Sequence, residues 1–351
     1  MSASLVRPKL IAALALASLA VIVPARLWLR AAGGSYAASP AQGASLQPAR
    51  WPKDELTIAN LGHATLLMNY FGVRVISDPT LFYRVGLSFG SFLTIGPHRF
   101  IAPPLTPAQL QQVDVILITH AHMDHLDIPS LKALPKSAVV IACTGCGDLI
   151  RPLGFTDVRE LEWGQHTVVD GLEISAMGAR HWGRRWPPWG RAYGFNSYVL
   201  AKGGHRMLLA CDSAYTDLFG ALHDNPPEVA AFSSAAYDPW IWNHANPEQV
   251  WAMFKQTGAR YLIPIHWGTF RLSKEPMDEP MRRLLAAAGS EASDVAIRQI
   301  GVAWTMPLAS SRPVQAFGPG GGNMATAGHP APVGESAVIA NRREPRLFHN
   351  Q

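Results

Sequence analysis

A short segment of apolar and β-branched residues, Val113-Asp114-Val115-Ile116-Leu117-Ile118-Thr119, runs straight into His120-Ala121-His122-Met123-Asp124-His125. The first stretch reads as a buried strand. Beyond the histidines, Asp127-Ile128-Pro129-Ser130-Leu131 reads as a helix start, with Asp127 as N-cap and Pro129 in the first turn. A strand that hands over to a helix in this way belongs to an α/β sheet, and the turn lies at the carboxyl edge, where functional residues collect. Side chains two apart in extended chain point the same way, so His120 and His122 can share one metal. Asp124 and His125, as the chain bends, face a second position. Neutral imidazole and carboxylate suit zinc and similar borderline ions. A polar turn of solvated histidines is the plain alternative, but so dense a run arises by chance on the order of once in a thousand chains of this length.

Four residues on one turn cannot enclose two metals, and the chain offers further donors at comparable places. Met207-Leu208-Leu209-Ala210 leads to Cys211-Asp212, and Tyr261-Leu262-Ile263-Pro264-Ile265 leads to His266. His181 comes after the strand-like Leu172-Glu173-Ile174-Ser175-Ala176-Met177. A lone histidine at a strand end is more often a satisfied structural residue; four such ends together point to one site.

In this order, His120-x-His122-x-Asp124-His125, His181, Asp212 and His266 resemble the metallo-β-lactamase superfamily. Within it the chain is most similar to the N-acylphosphatidylethanolamine-hydrolysing phospholipase D branch. The pieces that carry the likeness are Gly62-His63-Ala64-Thr65, Ser77-Asp78-Pro79, Gly96-Pro97-His98-Arg99-Phe100, the His120 to Asp127 run, Gln165 to His181-Trp182 in outline, Ala236-Tyr237-Asp238-Pro239 and Ile265-His266-Trp267-Gly268-Thr269-Phe270. The likeness extends roughly from Leu56 to Met306.

The resemblance implies a four-layer αβ/βα sandwich, two mixed sheets with helices on both outer faces, built from two pseudo-repeated halves. It implies two Zn2+ ions, with other divalent metals as alternatives. His120, His122 and His181 would hold the first, Asp124, His125 and His266 the second, and Asp212 would bridge them. Two ions about 3.5–4 Å apart can clamp a hydroxide that attacks phosphorus in line, with no protein nucleophile. His244, in Trp242-Asn243-His244-Ala245, matches a family histidine near the reaction centre and would orient substrate or protonate the leaving group; a surface histidine ahead of the helix Pro247-Glu248-Gln249-Val250 is the other reading. His63 either supports a ligand or only holds a loop. Where the family carries glycine before the bridging aspartate, this chain has Cys211, read as a small buried bystander with ligation as the alternative.

The formal charge of +5 could suggest nucleic acid, but the first thirty residues carry +4 and the tail from Pro307 carries +2, leaving −1 for the region between. That is no nucleic-acid footprint, and no nucleic-acid partner is expected. Arg7 and Lys9 precede an apolar run from Leu10 to Val23, the layout of a secretory signal, and the run reaches Leu29 if Arg26 snorkels. Residues 1–30 are therefore expected to be a cleaved signal peptide or a retained membrane anchor, which places the protein in a bacterial periplasm or at a membrane, outside the cytoplasm. An Ala/Ser/Pro-rich linker is expected over 31–50, the hydrolase domain over 51–306, and a disordered tail over 307–351. Cys143-Thr144-Gly145-Cys146 lacks a thioredoxin-type context and reads as a disulfide or as two buried thiols.

Past His181, Trp182-Gly183-Arg184-Arg185-Trp186-Pro187-Pro188-Trp189 combines tryptophan with arginine. Tryptophan favours the lipid interface and arginine forks onto phosphate, so Trp182, Arg184 and Arg185 are expected to meet a phospholipid head group at a membrane surface. A Pro-stiffened loop covering the core is the bland alternative. The expected function is a phospholipase D-type phosphodiesterase acting on N-acylphosphatidylethanolamine-like lipids. Competing readings are a lactone, thioester or sugar-phosphate lactone hydrolase on the same site, and a non-catalytic metal-binding membrane-assembly protein. Redox di-iron chemistry would want a glutamate in the first motif, which this chain lacks. Oligomeric state is open.

Overall fold

The computed structural model describes residues 38–39, 41, 46–89, 93–185, 189–210 and 212–307. The expected signal or anchor, Cys211, Trp186 to Pro188 and all of the tail beyond Pro307 lie outside the described residues. Among the described residues no helix is long and apolar enough to cross a membrane.

The chain opens with strands β1 (Leu56–Gly62), β2 (Thr65–Tyr70) and β3 (Val73–Ser77), a small hairpin of β4 (Leu87–Phe89) and β5 (Leu93–Ile95), and then β6 (Val115–Ile118). Helix α1 (Ile128–Ala133), β7 (Val139–Cys143), the single-turn α2 (Gly147–Ile150) and β8 (Val158–Leu161) complete the first half. The second half holds β9 (His166–Val169), β10 (Leu172–Met177), β11 (Ser197–Lys202), β12 (His205–Leu209), β13 (Val229–Ser233), α3 (Pro247–Thr257), β14 (Tyr261–Ile265) and α4 (Glu279–Ala288). The last strand, β15 (Ala303–Thr305), returns to pair with β1. The strands form a seven-stranded sheet, β15-β1-β2-β3-β6-β7-β8, and a six-stranded sheet, β14-β13-β12-β11-β10-β9. Both are mixed, parallel at β3-β6-β7-β8 and β12-β13-β14, antiparallel elsewhere.

Strand alternation explains the layering. Leu56 and Ile58 of β1, Val115 and Leu117 of β6, Met207 and Leu209 of β12, and Ile263 and Ile265 of β14 meet in one core. Their neighbours turn the other way. Ile116 and Ile118 pack outside the first sheet with Leu131 of α1 and Ile150 of α2, while Leu208 and Leu262 pack outside the second with Val250 and Phe254 of α3 and Leu284 of α4. The product is helix, sheet, sheet, helix: the four-layer αβ/βα sandwich. Two buried tyrosines join the sheets, Tyr70 Oη donating to Leu200 O at 3.0 Å and Tyr198 Oη to Ile118 O at 2.9 Å.

The described chain begins to pack before Trp51, so the linker expected over 31–50 is in part body. Ser39 N donates to Phe100 O, Leu46 is buried, and Pro48 starts a 3-10 turn whose carbonyl accepts from Arg74 Nη1. Isolated apolar residues in an Ala/Ser/Pro-rich stretch leave no periodicity to read. Cys143 and Cys146 are buried and not joined in a disulfide, with sulfurs 3.1 Å apart.

Candidate metal centre

Five strand ends deliver the polar residues to one edge of the sandwich. His120 comes after β6, His181 after β10, Asp212 after β12, His266 after β14 and Asp78 after β3. His63 stands in the turn between β1 and β2. The loop after β6 is closed by Asp127, which caps α1 by accepting from Ser130 N and Oγ. His63, Asp78, Ala236 and His266 all adopt positive φ, although none is glycine. Such backbone persists only where the surroundings over-determine it, and it gathers at functional sites.

The donor atoms fall into two groups. His120 Nε2 lies 2.8 Å from His122 Nδ1, which lies 3.3 Å from His181 Nε2. Ligands about 2.0–2.1 Å from a tetrahedral ion sit about 3.3 Å apart, so these three nitrogens already hold close to ligand spacing. In the second group, Asp124 Oδ2 lies 3.5 Å from His266 Nε2 and 3.7 Å from His125 Nε2. Asp212 Oδ2 is 3.0 Å from His125 Nε2, 3.1 Å from His266 Nε2 and 4.0 Å from His120 Nε2, and so stands between the groups. All seven residues singled out from the motif therefore meet in one cluster.

Outer partners fix which ring nitrogen is available. His125 Nδ1 bonds Asp78 Oδ2 at 2.8 Å, His181 Nδ1 bonds the Asn243 carbonyl at 3.0 Å, and His120 Nδ1 bonds Thr119 Oγ1 at 2.9 Å. Thr119 in turn donates its hydroxyl to Asp78 Oδ2 and its N–H to Asp78 Oδ1. In each ring Nδ1 is occupied and Nε2 is turned toward the cluster, the usual arrangement of metal-binding histidine. Asp212 Oδ1 accepts from Ser233 Oγ. The residues fit a divalent cation: Nε2 of His125 and His266 are buried and crowd Asp212 Oδ2 without hydrogen-bond geometry, so these donor atoms converge on a place an ion can fill.

Electrostatics divide the groups in the same way. Burial drives His120 and His181 well below the ordinary histidine range and takes His122 down to about 4, so three neutral imidazoles face one another. Burial would lower His125 and His266 too, but Asp212 and Asp124 override it, holding His125 well above its ordinary value and His266 at about 9. Burial would raise Asp124 and Asp212, and the neighbouring imidazoles instead hold both well below the carboxylate range. Two carboxylates that draw protons onto neighbouring imidazoles offer the negative charge a divalent cation can take in place of those protons.

His244 is no detached surface residue. Its Nδ1 is 3.8 Å from Asp212 Oδ2, its ring is 5.2 Å from that of His181, and burial lowers it to about 4. Trp182 is half exposed with its ring 4.5 Å from that of His122. The two arginines depart from the picture of free phosphate forks. Arg184 Nη1 donates to Gly190 O, and Arg185 Nη1 donates to the carbonyls of Ala121 and Leu126, both at 2.8 Å. Arg185 thus braces the loop that carries the motif, because carbonyls left bare by a tight turn need donors. Beside it lies a groove of about 230 Å³ lined by Leu87, Ser88, Met123, Ile128, Lys132 and Arg185, among others. Asp78 and Thr119 received no role from the sequence alone; the signal was there in Asp78, a carboxylate at the same carboxyl edge.

A model of the beta-lactamase superfamily domain matches residues 87–267. An uncharacterised protein of Mycobacterium tuberculosis is 35% identical over 274 residues, covering 75% of this chain and 72% of the relative. A mitochondrial N-acyl-phosphatidylethanolamine-hydrolyzing phospholipase D of Saccharomyces cerevisiae is 31% identical over 243 residues, covering 64% of this chain but only 50% of the yeast protein. Among solved structures, a possible metal-dependent hydrolase from Veillonella parvula superposes with a TM-score of 0.58 at 19% identity, covering 72% of this chain and 100% of the other. With its two sheets, its edge cluster of histidine and aspartate and these matches, the chain belongs to the beta-lactamase superfamily, as one of its metallo-hydrolases.

Proposed function

We propose that the protein is a dinuclear zinc phosphodiesterase of phospholipase D type, cleaving N-acylphosphatidylethanolamine-like lipids to phosphatidate and an N-acylethanolamine. The observation that carries this reading is the pair of donor groups sharing Asp212 Oδ2. His120, His122 and His181 would hold one ion, Asp124, His125 and His266 the other, and Asp212 both. Divalent ions held there supply Lewis acidity and lower the pKa of water to near neutrality.

The chain's own residues do the rest. Asp78 and Asn243 accept from Nδ1 of His125 and His181, so each of those rings turns Nε2 toward the place of the ions. His244, neutral at pH 7 because of burial, offers a ring N–H to the leaving oxygen of the ethanolamide and so orients that bond for in-line displacement. Trp182, exposed above His122, meets the lipid at the mouth, and the groove at Met123 with Lys132 and Arg185 suits the anionic remainder of the lipid. The names of the yeast relative and of a nematode one, N-acyl-phosphatidylethanolamine-hydrolyzing phospholipase D 1 of Caenorhabditis elegans, support this substrate class. The basic and apolar start of the sequence, Arg7 to Val23, supports work at a membrane outside the cytoplasm.

The test is a side-by-side assay of the zinc-loaded chain on N-acylphosphatidylethanolamine vesicles, bis-p-nitrophenyl phosphate, lactones and thioesters, with Asp124→Asn and His266→Ala as controls. Phosphodiester cleavage that both controls abolish supports the proposal. Cleavage of lactones or thioesters without any phosphodiester retires it. Detection of the native chain in a washed cytoplasmic fraction alone would contradict the location.

A further inference from the structure

His63 holds a place that neither the ligand set nor the reaction accounts for. Its side chain is fully buried, yet its backbone sits at φ +55°. Three hydrogen bonds tie it to the second donor group and its supports. Its N–H donates to Thr269 Oγ1 at 2.6 Å, its carbonyl accepts from His266 N at 2.8 Å, and its Nε2 lies 3.0 Å from Asp124 Oδ2. The ring also packs on that of His266, centroids 4.0 Å apart, and meets Phe270 edge-on.

The direction of the third bond is fixed by its partners. Asp124 as a carboxylate only accepts, so Nε2 carries the hydrogen. Nδ1 is then bare, and it is indeed buried with no hydrogen-bond partner. A protonated Nε2 cannot ligate a metal, so in this geometry His63 acts on Asp124 and not on an ion. Asp124 is the member of its group that needs such help: its side chain is 19% exposed, against 1% for His125, Asp212 and His266. A carboxylate on a turn that keeps one side toward solvent has rotamers to choose from, and a donor anchored at the β1–β2 turn removes the choice.

We infer that His63 is a positioning residue for the second metal position, donating from Nε2 to Asp124 and, through its carbonyl, fixing the strand end that carries His266. The inference rests on the two-position reading of the site and is independent of the substrate. It predicts an asymmetric effect. Removing the donor weakens the second position and leaves the His120, His122 and His181 position intact.

The experiment compares wild type, His63→Met and His63→Gln, all facing the same positive φ. Gln can present an N–H near the place of Nε2; Met fills similar volume without a donor. Stepwise zinc affinities are measured by competition with a chromophoric chelator, stoichiometry by native mass spectrometry, and melting of the metal-free chain by circular dichroism. The expected result is two equivalents for wild type, a 10–100-fold weaker second equivalent with an unchanged first for His63→Met, and recovery of most of that loss in His63→Gln. A second equivalent in His63→Met as tight as in wild type overturns the inference. So does a His63→Gln chain as weak as His63→Met, or a loss of both equivalents together with a lowered melting point. Wild type that takes up one equivalent overturns the two-position reading and this inference together.

Discussion

Asp78 stands outside the proposed ligand set, yet its replacement should disable the site. One oxygen accepts from Thr119 N–H at 2.8 Å; the other accepts from Thr119 Oγ1 at 2.6 Å and His125 Nδ1 at 2.8 Å. Asp78→Asn keeps the size and replaces one oxygen by an amide N–H. Whichever way the amide turns, at least one of those donors then faces another donor. If the N–H faces His125, the imidazole shifts its proton to Nε2, the atom that points at Asp212 and Asp124. A buried hydrogen bond to a charged group contributes about 1.5–3 kcal/mol, and outer partners of metal-bound histidines are worth 10–100-fold in metal affinity, or about 1.4–2.8 kcal/mol. Because Thr119 relays Asp78 to His120, the first position should weaken too, but less. Zinc competition with a chelator, read on Asp78→Asn beside wild type, checks this. Unchanged affinity at both positions would refute the tautomer argument, as would equal losses at both.

The same geometry sets further outcomes. Asp124→Asn should empty the second position first and collapse hydrolysis while about one equivalent of metal remains; metal analysis of the purified variant decides, and two retained equivalents would contradict it. Trp182→Ala removes an exposed ring beside His122 and should raise KM for vesicle substrate up to about tenfold, roughly 0.5–1.5 kcal/mol, with kcat little changed; steady-state kinetics that show the reverse split would place Trp182 in the chemical step. Burial holds the Asp127 carboxyl at about 6, above its ordinary 3.8. A raised carboxyl favours the folded state below the unfolded value and loses that contribution as pH climbs through 6, about 3 kcal/mol in all. Asp127→Asn does not titrate, so between pH 4 and pH 7 its stability in urea should gain on wild type by about that amount, and a pH-independent difference would count against the assignment.

How much was legible from sequence depends on what each residue does. His120 to His125, Asp212 and His266 were readable because a buried parallel strand is a nearly continuous apolar run, so the polar residue at its end stands out. The layers were readable for a related reason, since Ile116 and Leu117 face opposite cores by simple alternation. His63 and Asp78 sat in recognisable motifs but without settled roles, because their partners, Asp124 and His125, are distant in sequence and meet them only when β1, β3 and β6 assemble. Arg185 has a second role that its charge did not announce, because the need of the Ala121 and Leu126 carbonyls for a donor arises only from the folded turn. The docking of Leu46 and Pro48 left no pattern at all, being two isolated residues in an Ala/Ser/Pro-rich stretch.

The proposed reaction is attack of water-derived oxygen on phosphorus at a two-metal site. It is tested most directly by running the zinc-loaded chain on N-acylphosphatidylethanolamine vesicles in oxygen-18 water and reading both products by mass spectrometry. The expected result is one heavy oxygen in the phosphatidate and none in the N-acylethanolamine. Label in the N-acylethanolamine, or label that appears only in a released fatty acid, would contradict it.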